Sequence, residues 1–556
     1  MALAGIALLL VVLGATSGAG GPRANPRTGS TFVEAMVGAP RFVNPLLAAS
    51  DTDRDLTHLV YSGLTRVDEH GDLVGDLASS WQVSPDARVF TFTLKPDLHW
   101  HDGEPLTADD VLFTLGLLRA PDFPGDPALA QSWRDVKPGS PSQQVVTFEL
   151  TSPNVSFVQH TTLGILPRHL WSAVAKAADL PRSELNNAPI GSGPWRYVRA
   201  ANQSGSSSNK AEGQDKPQSG TNPTAEGVLL EPYPAHPSAQ IGRLWFRLYP
   251  SFGAALTGFK AGEVHGLGHI PADETSGVEA TGAEVLKAPL ARYAMLLLNT
   301  RSPLFDKVET RQAIEYAIDR QAIVKQVLQG RGRAAMSPVL EGSWAYDGSL
   351  PYRGYDPARA RGLLDAAGWK TGAGGVRARE GLTLTVVLSA NADVPLNVAV
   401  ARQIEDYLRA VGVDVKPAYV SRDVLLRDYL TPRAFHLVVA NWEAEGVDPD
   451  LYRYWHSSQM APGLGLNFAG WGNAQADAAL DAARRTSSRD ERKKFYSDFQ
   501  KMFLADVPAV VLFNPLYEYA VGGPVRGALL PGAEMLDPAQ RFDMVDSWSL
   551  QPVEGR

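Results

Sequence analysis

From residue 30 onward, stretches with the two-residue periodicity of a half-buried strand alternate with stretches patterned like an amphipathic helix. That alternation implies α/β layering, because a sheet and its covering helices must bury their apolar faces against each other. Phe90, Phe92 and Leu94 share one face of the segment 89–94, and Val146, Phe148 and Leu150 share one face of 145–150. Between them Thr107, with Asp110 three residues on, opens a helix bearing the stripe Val111, Leu112, Leu115 and Leu118. In the second half, Asp306 to Glu309 opens a helix, Asp319 caps the next and Gly330 stops it. Asp356 and Pro357 open another that Gly368 closes, since Pro suits a first helical position and Gly a helix end. A strand is predicted over 382–388, a helix over 397–411 and a buried strand over 435–440. Ser488 caps a helix running to Ala505, and an apolar strand covers 509–513. No short-period repeat is present, which argues against a solenoid or propeller.

The chain has 556 residues. Single cores stop growing at roughly 250–300 residues, so two lobes are expected. With 44% hydrophobic and 20% charged residues, most of the chain has enough apolar surface to fold. The exception is 202–226, rich in Ser, Gly, Asn, Gln, Lys and Pro, which reads as a disordered insertion between strands. A net charge of −8 offers no general attraction for nucleic acid or anionic lipid. The chain has 0 cysteines, which removes disulfides, thiolate metal sites, a cysteine nucleophile and a lipid-attachment cysteine.

Ala2 to Ala15 form an apolar run followed by Ser17, Gly18 and Ala19. The run is shorter than the about 20 residues of a membrane span and fits the apolar region of an export signal, with cleavage after Ala19. The usual positively charged start is absent, so either the true start lies upstream of Met1 or the segment is an unusual anchor, with a terminal core helix as the other alternative. Residues 1–29 are read as signal or anchor plus linker, and the protein as exported, periplasmic or held at the cell surface.

Several short stretches then occur in a recognisable order: Tyr61 to Leu64, Gly71 to Ala78, Ser80 and Trp81, and 89–113 with His101 to Val111. Gly191 to Pro194, Leu298 to Thr300, Arg311 to Ala313 and Tyr316 to Arg320 follow. Tyr355 to Pro357, Leu363 to Trp369 and Trp471 to Asp477 complete the series. Together they resemble the family 5 extracellular solute-binding proteins, a class that binds dipeptides, oligopeptides and nickel complexes. The resemblance implies a bilobal periplasmic-binding-protein-like clamp of mixed sheets flanked by helices. Lobe I would comprise about 30–287 and 514–556, with an extra subdomain at about 66–180, and lobe II 288–513. Two hinge crossings are expected near 286–294 and 508–515. The implied function is that of a monomeric solute-binding component of an ABC importer, which closes on a peptide or peptide-like solute and presents it to a permease.

The candidate ligand loop follows the strand at 435–440 and runs from Asn441 to Asp450. Trp442 supplies an apolar wall, and Glu445 holds the position at which the resemblance places an acid for a peptide ammonium. Asp448 is a further candidate; a solvated acidic turn is the other reading of this carboxylate group. Asn44, at the implied cleft border, and Gly193, whose backbone could meet an extended ligand, complete the candidate set. The arginine that dipeptide-binding relatives place before the helix at Asn397 is missing from Ser389 to Pro395. That disfavours a strict dipeptide site and favours a longer peptide or a cationic non-peptide. Trp195 and Trp344 read as core or hinge aromatics. His99 with His101 and His265 with His269 could pair geometrically, but flanking carboxylates at metal-site spacing are missing, and they read as surface imidazoles. No metal or cofactor is expected, and no nucleophile motif suggests an enzyme. A nickel chelate or glycan as cargo, and a sensor or receptor role, are the alternative readings.

Overall fold

The computed structural model describes residues 30–201, 227–234, 240–461 and 465–551. Residues 1–29, read as an export signal or anchor with linker, and 202–226, read as a disordered insertion, therefore lie outside the described residues. A mixed sheet of 12 strands runs through the molecule. At one end, Thr31–Val37 pairs in parallel with Arg243–Tyr249, and Gly227–Pro232 and Trp195–Ala201 extend it antiparallel. At the other end, Thr385–Asn391 lies in parallel between Asp414–Val420 and Leu437–Glu443. Arg292–Leu298 joins that group antiparallel.

The two ends meet in one strand, Ala509–Val521. Its first part pairs with Arg292–Leu298, from Leu297 opposite Ala509 to Ala294 opposite Phe513. Its second part pairs with Glu284–Pro289, from Pro289 opposite Leu516 to Glu284 opposite Val521. The chain thus crosses twice, side by side. Asn514 clips the crossings together: its side-chain amide donates to the carbonyl of Leu290 at 2.6 Å and to that of Arg292. The apolar clusters divide at the same place. One pair draws on residues up to Leu290 and from Tyr517 onward, the other on Tyr293 through Phe513. The architecture is the expected α/β clamp of two lobes.

A separate four-stranded antiparallel sheet carries the sequence signature. Val89–Leu94 and Val145–Leu150 are its central pair, with Phe90 facing Phe148, and Phe90, Phe92, Val146 and Phe148 are buried. The helix Ala108–Leu118 packs on it after the backbone N–H of Thr107 donates to the Asp110 carboxylate at 2.8 Å.

Several element ends depart from the sequence reading. The strand predicted to stop at 513 continues to Val521 because residues 516–521 find a second set of partners. The strand predicted over 435–440 lies at Leu437–Glu443, since pairing with Arg292–Leu298 persists through Arg292 opposite Glu443. Trp442 and Glu443 are therefore strand residues, and the loop begins at Ala444. The segment 382–388 splits into Leu382–Thr383, in a small three-stranded sheet, and Thr385–Asn391. The helix expected from 397 starts at Pro395, where a residue without an N–H costs nothing.

The first lobe is tied to the chain's end by buried charges. Arg541, 1% exposed, donates to both oxygens of Asp55 at 2.7 Å and to Glu34 at 3.0 Å. His269 extends this network, 3.3 Å from Asp55 and 3.2 Å from Asp51. Burial opposes charge on His269, but the Asp55 carboxylate and the hydrogen bonds to Asp51 and Asp55 raise its pKa to about 9. A pKa raised above the unfolded value gives stability that is complete below about pH 6.5 and lost as pH rises through about 9. His269 has φ 51, which asparagine tolerates, so His269→Asn is a fair probe. Thermal unfolding between pH 6.5 and 9 should show the wild type losing more melting temperature than His269→Asn; parallel curves would disprove the assignment.

Candidate functional site

The cavity at the junction takes walls from both lobes. The crossing after Leu290 contributes Ala291 and Tyr293, the strand Leu437–Glu443 contributes Trp442, and the following loop contributes Glu445 and Asp448. His70 and Gly71 enter from the first lobe, and Ala533, Glu534 and Leu536 from the returning C-terminal segment. Its volume is about 180 Å³. A void of roughly 150 Å³ accepts a benzene-sized ligand, so this space is scaled to one side chain. A second, more polar cavity of about 490 Å³ lies between residues 131–160 and the segment 445–485. Glu445 and Asp450 line both cavities.

Strand register builds the aromatic wall. Tyr293 lies opposite Trp442, and their rings stack at 6.2 Å with planes 15° apart. Tyr454, from the short helix Tyr452–Trp455, meets Trp442 edge-on. Its hydroxyl donates to Glu445, and burial first, then the Glu445 carboxylate, hold its pKa far above the ordinary phenol value. Tyr454 therefore remains a donor throughout the physiological range. Arg453 stands 3.5 Å from the same carboxylate. Glu445 is thus oriented by its own lobe while facing the interlobe space.

The other acids of the loop are joined to partners, which corrects the reading of a solvated acidic turn. Asp448 pairs with Arg492, itself 4% exposed, and accepts from the Ser156 hydroxyl at 2.9 Å. Asp450 pairs with Arg484 at 2.6 Å and accepts from the Asn154 side-chain amide at 3.3 Å. Ser156 and Asn154 belong to the first lobe, so these acids hold the lobes together. Arg489 adds an exposed interlobe pair with Asp72 at 2.9 Å. Arg492 also lies 5.0 Å over the ring of Trp344, which lines the cavity.

Asn44 and Gly193 are placed elsewhere. Asn44 is fully buried, donates to Asn186 at 3.1 Å and accepts from the Leu46 N–H at 2.9 Å. It fixes a turn, and its position behind the first-lobe surface follows from those two bonds. Gly193 has both backbone groups engaged, its N–H with Val60 at 2.8 Å and its carbonyl with His101 Nε2 at 2.9 Å. A Cβ there would come within 2.6 Å of the Leu59 carbonyl, so close packing on the first helix, Asp51–Val60, demands glycine. His101 is buried, correcting its reading as a surface imidazole: Nδ1 accepts from the Gly191 N–H at 3.3 Å while Nε2–H donates. That pattern sets a neutral tautomer. His269 is likewise an ion-pair member, and His265 Nδ1 accepts from the Val33 N–H at 3.1 Å. Trp195 is core, at 1% exposure.

Tyr293, Tyr454, Trp344 and Glu534 are cavity residues that the sequence reading missed. Tyr293 sits within the expected crossing, and Tyr454 follows the ligand loop closely, so both had a weak positional signal. Glu534 had none: it lies in an irregular segment rich in Pro and Gly.

Two lobes joined by a double crossing, with a cavity walled by aromatics of the second lobe and carboxylates from both, define a protein built to bind a solute between its lobes. The chain belongs to the bacterial extracellular solute-binding proteins, family 5, whose middle-region model matches residues 72–462, more than half of the sequence. The oligopeptide-binding protein AppA of Bacillus subtilis is 28% identical over 531 residues, covering 93% of each chain. The solved structure of AppA with a nonapeptide superposes with a TM-score of 0.67 at 26% identity, covering 95% of this chain and 100% of that one. NikZ of Campylobacter jejuni, solved with Ni(L-His), gives a TM-score of 0.68 at 26% identity, covering 93% and 99%. This is a family of binding proteins rather than enzymes.

The Asp448–Arg492 pair offers a direct test. Removing one partner of a buried pair typically costs about 3–5 kcal/mol because the other charge is stranded. Asp448→Ala should therefore lower the denaturant midpoint strongly, whereas Asp72→Ala at the exposed pair should change stability by under about 1 kcal/mol. Equal effects in equilibrium unfolding would contradict this ordering.

Proposed function

We propose that this protein is the extracytoplasmic solute-binding component of an ABC importer and that it captures a peptide or peptide-like solute. The observation that carries the reading is Glu445, held by Tyr454 and Arg453 where the two interlobe cavities meet and set beside the Trp442 ring. A carboxylate against an aromatic face suits a ligand ammonium, which gains both a charge partner and a cation–π contact. The larger polar cavity then takes the chain that follows the first residue. Likeness to AppA, solved with a nonapeptide, supports a ligand longer than a dipeptide. Lobe I, residues 30–287 and 514–556, and lobe II, residues 288–513, close on the solute, and the closed monomer engages the permease. The N-terminal apolar segment serves export or tethering.

Native mass spectrometry of protein from its source should find a peptide between the lobes. In calorimetry with a mixture of free peptides, Glu445→Gln should weaken binding by about tenfold or more, as expected when a desolvated charge loses its partner. Amino-terminal acetylation of the peptides should produce a similar loss in the wild type. Likeness to NikZ supports a second cargo, a nickel–histidine complex. Thermal stabilisation by nickel with L-histidine, with none by peptides, would replace the first reading with the second.

A further inference from the structure

The acids lining the small cavity differ in what neutralises them. Glu445 has Tyr454 and Arg453, Asp448 has Arg492, and Asp450 has Arg484. Glu534 has only a backbone donor, the Gly342 N–H, 3.1 Å from Oε1. Among the described residues no cation pairs with it. Burial pushes its pKa up to about 7, with the Gly342 N–H and Arg333 opposing the rise and Glu341 adding to it. A part-buried carboxyl without a counter-charge is partly protonated near neutral pH and is driven to its ionised form when a cation pairs with it.

A second observation points to the same space. The Tyr293 side chain is 3% exposed and lines the cavity, yet its hydroxyl has no hydrogen-bond partner among the described residues. A buried polar atom left unpaired is costly, so this wall of the cavity holds a polar group that its own fold does not satisfy. The stacked Tyr293 and Trp442 rings add an aromatic surface suited to a cation.

We propose that Glu534 is a specificity-determining residue of this site: its carboxylate takes a cationic group of the solute, so that the protein prefers ligands carrying a second positive charge beside the one held by Glu445. This rests on the reading of the junction as the solute site. The cavity is scaled to one side chain, so for a peptide the second charge belongs to the first residue: its ammonium lies at Glu445 and its basic side chain at Glu534. Cation binding draws the proton from Glu534, so affinity for such a ligand rises with pH through about 7. The charged groups around Glu534 are Arg333 and Glu341, with Arg489 on the cavity wall. His70 also lines the cavity. A variant at 534 separates its effect.

The test is calorimetry on the wild type and Glu534→Gln at about pH 6 and about pH 8. The probes are a tetrapeptide beginning with lysine, its counterpart beginning with norleucine, and 1,5-diaminopentane. Glutamine can still accept from Gly342, so the fold is kept. The wild type should bind the lysine peptide about tenfold tighter than the norleucine peptide at pH 8, and less selectively at pH 6. Glu534→Gln should abolish the preference at both pH values and leave the norleucine peptide unaffected. Equal binding of both peptides by the wild type, or a preference that survives in Glu534→Gln, overturns the inference while peptide capture stands. If neither peptide binds, the diamine decides: binding lost in Glu534→Gln upholds the role of Glu534 and discards the peptide, and binding that is absent or unchanged overturns both.

Discussion

Two adjacent chain crossings, one within the strand Ala509–Val521 that joins both ends of the long sheet and one at 290–292 beside it, are clipped by the side chain of Asn514 and govern the rest of this structure. Because Ala509–Val521 pairs first with one lobe's strand and then with the other's, the two lobes share a backbone axis while keeping separate apolar clusters. Ladder hydrogen bonds resist sliding along such a strand but allow rotation where the partner changes. The Asn514 amide ties the neighbouring crossing at Leu290 and Arg292, so both crossings must move together. Tyr293 lies one residue beyond that clip. The wall of the cavity is therefore part of the hinge, and any solute held against it bears on the element that sets the lobe angle.

Charge placement then divides the molecule's acids by function. Glu34 and Asp55 are spent on Arg541, which anchors the C-terminal segment in the first lobe. That anchoring holds the return path along which Glu534 reaches the cavity. Asp448 and Asp450 are spent on Arg492 and Arg484 and, through Ser156 and Asn154, on contact between lobes. Buried ion pairs of this kind contribute modest net stability, because desolvation offsets much of the attraction, but they penalise arrangements that strand one partner. They favour the relation of the lobes seen here. Glu445 and Glu534 are left on the wall of the interlobe cavity, one oriented by a phenol and an arginine, the other held by a single backbone N–H.

Much of the fold was legible because its signals are local. The alternating faces of the strands at 89–94 and 145–150, the caps at Asp319, Asp356 and Ser488, and the collinear family stretches all depend on neighbours within a few positions. Reading those stretches as a sign of function was a different matter. His101, Gly191 and Gly193 interlock with one another and with the end of the first helix, so their role is to hold the first lobe together. Asn44 has the same kind of task. At the cavity, Trp442 and Glu445 could be read from their place at and just past the end of a buried strand, whereas Tyr454 and Trp344 acquire meaning only from the partners they touch.

The sequence by itself determined the family, the α/β layering, the need for two lobes and the loop that carries Trp442 and Glu445. Periodicity, capping and the order of short motifs are properties of adjacent residues, and the chain displays them directly. Tertiary structure alone decided which carboxylates are buried in ion pairs and which line the interlobe cavity without one. Asp448 meets Ser156 across nearly three hundred residues, Arg541 meets Glu34 across more than five hundred, and Glu534 enters the cavity from a segment without regular structure. Whether an acid is neutralised depends on what lies within a few ångströms, and no local pattern encodes that.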